Sequence, residues 1–101
     1  MIARLWHGRV MKVKAERYRA FLKEWAIPDY RSIPGNLNVY ILEREEADVT
    51  HFVTLTFWEN IEAVRAFAGD DPSVAKYYPE DADYLLEFEP AVVHYEVTAY
   101  G

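Results

Sequence analysis

The order in which the hydrophobic period changes along this chain constrains its fold more than any other feature. Segments with strand-like content at Ile2–Val10, Leu37–Arg44, Val49–Trp58 and Ala91–Tyr100 are interrupted by two stretches of helical spacing. In the first stretch, Lys12 to Ile27, apolar residues fall at Tyr18, Phe21, Leu22 and Trp25, which is i, i+3, i+4, i+7. Lys14, Arg17 and Lys23 lie off that stripe, and Pro28 is expected to end the helix. Ser32-Ile33-Pro34-Gly35-Asn36 reads as a turn, and the polar Glu45-Glu46-Ala47-Asp48 as the tip of a hairpin. Asn60 is placed to cap the second helix, which sets Ile61, Val64, Phe67 and Ala68 on one face, and Gly69 closes it. Asp71-Pro72 predicts a further short turn of helix through Val74, Ala75 and Tyr78. Residues 79–90 form an acidic, aromatic connection with room for another helical turn.

The resulting order is β-α-β-β-α-β. With right-handed crossovers it gives a ferredoxin-like α+β fold: a four-stranded antiparallel sheet in the order 4-1-3-2, with both helices on one face. The other face is then bare. Yet Ile2 and Trp6 alternate with Ala3 and Leu5, and Phe52 with Phe57, so neither face of the sheet is polar. A bare sheet this apolar is expected to be covered by a second copy, giving a homodimer with the shape of a barrel.

Composition narrows the function. With 101 residues there is room for one domain, 1–101, and the aromatic share of 16% exceeds what a minimal core of that size needs. A net charge of −6 opposes phosphate backbones, so no nucleic-acid partner is expected. No apolar run is long enough for a membrane span, and Met1 to Leu5 reads as strand and not as a leader. The absence of cysteine removes disulfides, thiol catalysis and thiolate metal sites, and it fits a cytoplasmic location.

Ile2-Ala3-Arg4-Leu5-Trp6-His7-Gly8, the turn Ile33-Pro34-Gly35-Asn36, and Phe52-Val53-Thr54-Leu55-Thr56-Phe57-Trp58-Glu59-Asn60 leading into Phe67 resemble the antibiotic biosynthesis monooxygenase family. That family belongs to the dimeric α+β barrel superfamily, and the resemblance covers essentially the whole chain. It implies a ligand site between sheet and helices. It also implies one of several chemistries: cofactor-independent oxygenation of aromatic or quinol substrates, haem degradation, or haem-bound peroxidase activity. The haem-degrading branch uses an Asn on the first strand, a Trp ending the third, and an axial His on the following helix. Here His7, Trp58 and Tyr77 (or Tyr78) stand at those places, and no His occurs between positions 52 and 93.

His7 is the candidate catalytic base, since an imidazole titrates near neutral pH. Its strand companions Ala3 and Leu5 suggest that it faces the helices. The alternative is a hydrogen-bonded structural histidine. Trp58 reads as a pocket wall for a flat substrate or as plain packing. Tyr77 and Tyr78 read as substrate-binding hydroxyls or as interface packing. His7, His51 and His94 lie on three neighbouring strands, so a three-histidine metal site is conceivable, although nothing in the sequence fixes the registers it needs. Trp6 and Trp25 read as core or dimer anchors, and Glu80-Asp81-Ala82-Asp83 as a solvated loop. The reading favoured on balance is a cofactor-independent monooxygenase-like protein that binds a small hydrophobic or aromatic substrate. Haem binding or a non-catalytic ligand module is the alternative.

Overall fold

The computed structural model describes residues 1–101. Strand β1 (Ile2–Met11) is followed by a 3₁₀ turn and by α1 (Ala15–Phe21), a π-turn (Leu22–Ala26) and α2 (Ile27–Arg31), which run on as one continuous helix. Then come β2 (Asn36–Glu46), β3 (Val49–Trp58), α3 (Ile61–Ala68), a 3₁₀ turn (Pro79–Asp83) and β4 (Val93–Glu96). The sheet is antiparallel with strand order β2-β3-β1-β4, which is the expected 4-1-3-2 read from the other edge. No helix is long and apolar enough to cross a membrane.

Register decides which residues face the helices. Trp6 stands opposite Thr54, and His7 opposite Val53. Arg4, Trp6, Gly8 and Val10 of β1 are buried, as are Thr50, Phe52, Thr54, Thr56 and Trp58 of β3. These form the helix-covered face, where Tyr18 meets Phe52 edge-on and Phe67 packs beside Trp58. Gly8 is required there because a Cβ would lie 2.5 Å from the Trp6 ring, which folds across it. On the opposite face, Ala3, Leu5, His7 and Arg9 stand in line with Phe57, Leu55, Val53 and His51.

Local chemistry explains most element ends. The Asn60 side chain accepts a hydrogen bond from the Ala63 amide at 3.0 Å, and Gly69 leaves the helix at φ 101°. Gly35, at φ 94°, closes the turn into β2. A Cβ there would strike Ala63 at 2.6 Å, so its lack of a side chain also lets the turn approach α3.

Three boundaries differ from expectation. Pro28 does not end the first helix, which continues to Arg31. The Ile27 amide reaches back five residues to the Leu22 carbonyl, and this widened turn relieves the clash a proline ring makes with the carbonyl four residues before it. Asp71-Pro72 starts no helix. The Asp71 carboxylate instead accepts from the Ser73 amide and hydroxyl, and Val74 then pairs with Ala91 as an isolated bridge. The last strand is shorter than Ala91–Tyr100: β1 begins at Ile2, opposite Glu96, so the residues beyond have little left to pair with.

Candidate functional site

Between the helices and the sheet lies a small cavity of about 10 Å³, lined by Trp6, Tyr18, Leu22, Ala26, Tyr30, Thr54, Lys76, Tyr78 and Asp81. Its volume admits one water at most. Two polar pairs stand in its wall. The Tyr18 hydroxyl donates to Asp81 Oδ1 at 3.1 Å, and the Tyr30 hydroxyl lies 3.3 Å from Thr54 Oγ1. The Tyr78 amide donates to Asp81 Oδ2 at 2.7 Å, which ties the carboxylate to the start of the 3₁₀ turn. Asp81 is only 2% exposed. Burial holds its carboxyl above the ordinary carboxylate range, even though both hydrogen bonds pull the other way. Trp6 adds a buried indole N–H without a protein partner.

Two residues of its lining, Tyr78 and Lys76, converge on Asp29. The Tyr78 hydroxyl donates to Asp29 Oδ2 at 2.6 Å, and Lys76 Nζ lies 3.4 Å from the same oxygen. Burial first, and then the bond to Asp29, push the Tyr78 phenol well above its usual range, so it stays a neutral donor. Tyr78 and Lys76 also line an outer groove of about 430 Å³ with Phe21, Trp25, Asp29, Pro79 and Glu80. Tyr78 and Lys76 therefore stand in the walls of both the inner cavity and the outer groove.

The expected site residues divide between the two faces. Tyr78 lines the cavity. Tyr77 stands one layer away, edge-on to Trp6 and to Phe88, with its hydroxyl donating to the Glu89 carbonyl at 2.5 Å. Trp58 is fully buried behind Tyr30 and Phe67, and its indole donates to Thr56 Oγ1. His7 is not on the helix-facing side. The β1 register puts it on the open face, because Trp6 takes the inward position and strand neighbours point to opposite faces.

There His7 Nδ1 lies 2.5 Å from Glu89 Oε2, and Nε2 lies 2.8 Å from His51 Nδ1. His51 Nε2 continues the chain to Glu46 at 3.0 Å. His94 pairs with Arg4 on the helix-covered side, so the three histidines do not converge. Trp6 is a core anchor as expected, whereas Trp25 is 65% exposed, because the π-turn rotates it off the apolar stripe.

Asp81 is the residue that sequence reasoning missed. Its acidic neighbours Glu80 and Asp83 are exposed, and the run looks uniformly solvated. The available signal was Pro79 followed by carboxylates, the pattern of a first helical turn whose acid can bond back to the amide three residues earlier.

The family model for antibiotic biosynthesis monooxygenase matches residues 7–75. The chain belongs to that family. Its sequence matches none of the functionally curated proteins. Among solved structures, an antibiotic biosynthesis monooxygenase family protein of Nitrosomonas europaea superposes with a TM-score of 0.70 at 18% identity, covering 98% of this chain and 100% of its own. A Bacillus cereus protein of the same description gives 0.68 at 13% identity, with 99% and 97% covered. A monooxygenase from the gene ActVA-Orf6 of Streptomyces coelicolor, in complex with nanaomycin D, gives 0.62 at 18% identity, with 98% and 88% covered. A variant of MhuD with two manganese protoporphyrin IX molecules per active site gives 0.63 at 17% identity, with 100% and 98% covered. At these identities the likeness is one of fold.

Proposed function

We propose that this protein is an oxygenase-type enzyme that takes a small, flat aromatic substrate between helices and sheet and works as a homodimer joined through the open sheet face. The observation that carries the site is the buried Asp81–Tyr18 pair in the wall of an aromatic cavity whose mouth is fastened by Tyr78 and Lys76. The monooxygenase of Streptomyces coelicolor that shares this fold is complexed with nanaomycin D, which supports an aromatic substrate class.

In this reading Asp81 is the base. Each of its oxygens accepts one hydrogen bond and keeps lone-pair capacity for a substrate proton. A carboxyl raised by burial is closer to the working pH and so a better proton acceptor than an exposed one. A methylene between aromatic rings gives its proton to Asp81, and the carbanion adds dioxygen. The resulting peroxide recovers the proton and loses water, leaving a carbonyl: CH₂ plus O₂ becomes C=O plus H₂O, with all four electrons supplied by the substrate. With Tyr78 turned outward, the ring system enters from the outer groove and lies against Trp6 and Tyr30 of the cavity wall. Trp58 supports Tyr30 from behind, Tyr77 supports Trp6, and His7 lies on the other face.

The dimer rests on the open face. A groove of about 790 Å³ there is lined mainly by apolar side chains, among them Leu37, Tyr40, Leu42, Leu55 and Phe57. An apolar surface of this kind is ordinarily covered, and a second sheet fits it.

Haem fits this cavity poorly. No histidine lines it, and the Tyr77 and Tyr78 hydroxyls are committed to the Glu89 carbonyl and to Asp29.

Oxygen-electrode measurements with anthrones and quinols test the reading. Uptake matched by carbonyl product is expected for at least one of them. Tight retention of these compounds with no oxygen uptake would replace the enzyme with a silent ligand carrier.

A further inference from the structure

On the open face of the sheet, two imidazoles turn one nitrogen each toward the same point. His7 and His51 sit diagonally on neighbouring strands, since His51 stands opposite Arg9 and His7 opposite Val53. Their rings are nearly parallel, with 26° between planes and 5.1 Å between centres, and His7 Nε2 lies 2.8 Å from His51 Nδ1. The outer nitrogens are already committed. An ionised carboxylate only accepts, so His7 Nδ1 donates to Glu89 Oε2 at 2.5 Å and His51 Nε2 donates to Glu46 Oε1 at 3.0 Å. Both inner nitrogens then direct a lone pair into one 2.8 Å gap. Two acceptors approach so closely only with a positive centre between them. A shared proton serves, and a metal ion can take its place.

An imidazole whose outer N–H is held by a carboxylate has its tautomer and its orientation fixed for metal ligation. Here both rings are held in that way. The surroundings favour a cation: Glu46, Glu87 and Glu89 stand around the pair, against Arg9 on Glu87 and Arg44 beside Glu46. The His7 side chain is 35% exposed and that of His51 13%, so an ion reaches them from solvent.

We propose that His7 and His51 form a two-histidine site for a divalent ion of the nickel, copper and zinc class. No third protein group joins them, so water completes the coordination. With metal–nitrogen lengths of about 2.0–2.1 Å, nitrogens bound at a right angle stand about 2.9 Å apart and tetrahedral ones about 3.3–3.4 Å. The gap therefore suits a square-planar corner on Cu²⁺ or Ni²⁺ with little movement, whereas Zn²⁺ requires the rings to part by roughly half an ångström. An ion there ties β1 to β3 and, through Glu89, to the segment before β4. The site lies at the His51 end of β3, away from the apolar groove around Leu55 and Phe57, and on the far side of the sheet from the cavity. It is independent of the oxygenase reading.

The test uses the untagged full chain, titrated by calorimetry with Ni²⁺ and Zn²⁺ and, as the oxygen-preferring control, Mg²⁺. Ni²⁺ is expected to bind most tightly and Mg²⁺ not at all. His7→Ala and His51→Ala should each weaken Ni²⁺ by about 10-fold or more. Glu89→Gln, which keeps an acceptor and loses the charge, should weaken it by about 10-fold. Saturating Ni²⁺ should raise the wild-type melting temperature by at least about 5 °C. In NMR spectra of the wild type, Zn²⁺ should move the ring signals of His7 and His51 and leave those of His94 in place, a readout that depends on no variant. Absence of Ni²⁺ and Zn²⁺ binding by the wild type would overturn the site. So would full Ni²⁺ affinity in either alanine variant, or ring shifts confined to His94, since each places the ion elsewhere.

Discussion

On the helix-covered face of the sheet, Trp6, Phe52 and Trp58 are packed out of water together with Arg4, Thr54 and Thr56. On the opposite face, Tyr40 and Leu42 are exposed and Leu55, Phe57 and His7 only partly covered. The covered face thus sets threonines and an arginine among its aromatics, and the open face holds an apolar patch at one end and His7, Arg9 and His51 at the other. That arrangement follows from where polarity is useful. Thr54 presents its hydroxyl to the cavity beside Tyr30, and apolar residues on the outer face can meet another sheet. A face is therefore assigned by what its polar groups can reach, and counting its apolar residues gives the wrong answer here.

If the covered face is the reactive one, Asp81→Asn should have the largest effect. Turnover is expected to fall about 10²-fold or more with probe binding retained, because proton abstraction is lost while Asn still accepts from the Tyr78 amide and donates to the Tyr18 oxygen. His7→Ala is the matched control and is expected to leave steady-state rates unchanged. The reverse outcome for the pair would move the chemistry to the open face.

The same carboxyl sets a pH dependence. Its folded value is raised above the ordinary value near 3.9, so turnover in the wild type should climb with pH above that range. Stability runs the other way. Between the unfolded and folded values the folded chain keeps a proton that the unfolded chain has lost, so raising pH through that window destabilises the fold. Urea titrations across pH should show this slope in the wild type and its absence in Asp81→Asn.

The open face is challenged next by Leu55→Arg. A charge in the middle of the apolar patch should halve the solution mass measured by light scattering, and the far-UV signature of the fold should persist. A wild-type mass equal to one protomer at micromolar concentration would remove the dimer. Smaller effects belong to the packing that separates the faces. Gly8→Ala forces a methyl against the Trp6 ring and should cost about 1–3 kcal/mol in chemical denaturation. Asn60→Ala should cost about 1 kcal/mol through the lost cap.

Much of the architecture was legible in the sequence. Strand order follows from the element order and right-handed crossovers, and the Gly35 turn, the Asn60 cap and the Gly69 stop each depend on a local rule that few residue types satisfy. The face assignment of β1 was not legible. Leu5 and Trp6 are both apolar, and Arg4 and Thr54 occupy core positions that alternation gives to aliphatic residues. His7 accordingly looked like a pocket base when it is the middle of a hydrogen-bonded chain on the other side. Asp81 was hidden by its neighbours: one carboxylate of an acidic run turns inward because the 3₁₀ turn at Pro79 aims it there, and composition carries no trace of that.

The widened turn at Leu22–Ala26 has a consequence for how this chain can vary. It holds one residue more than a regular helix needs, and each helical residue carries about 100° of rotation. Losing any single residue between 22 and 26 would bring the Pro28 ring back against the carbonyl four residues before it. It would also carry Tyr30 out of its place opposite Thr54 and over Phe67. A chain that differed here by one insertion or deletion would keep the sheet but not this wall of the cavity.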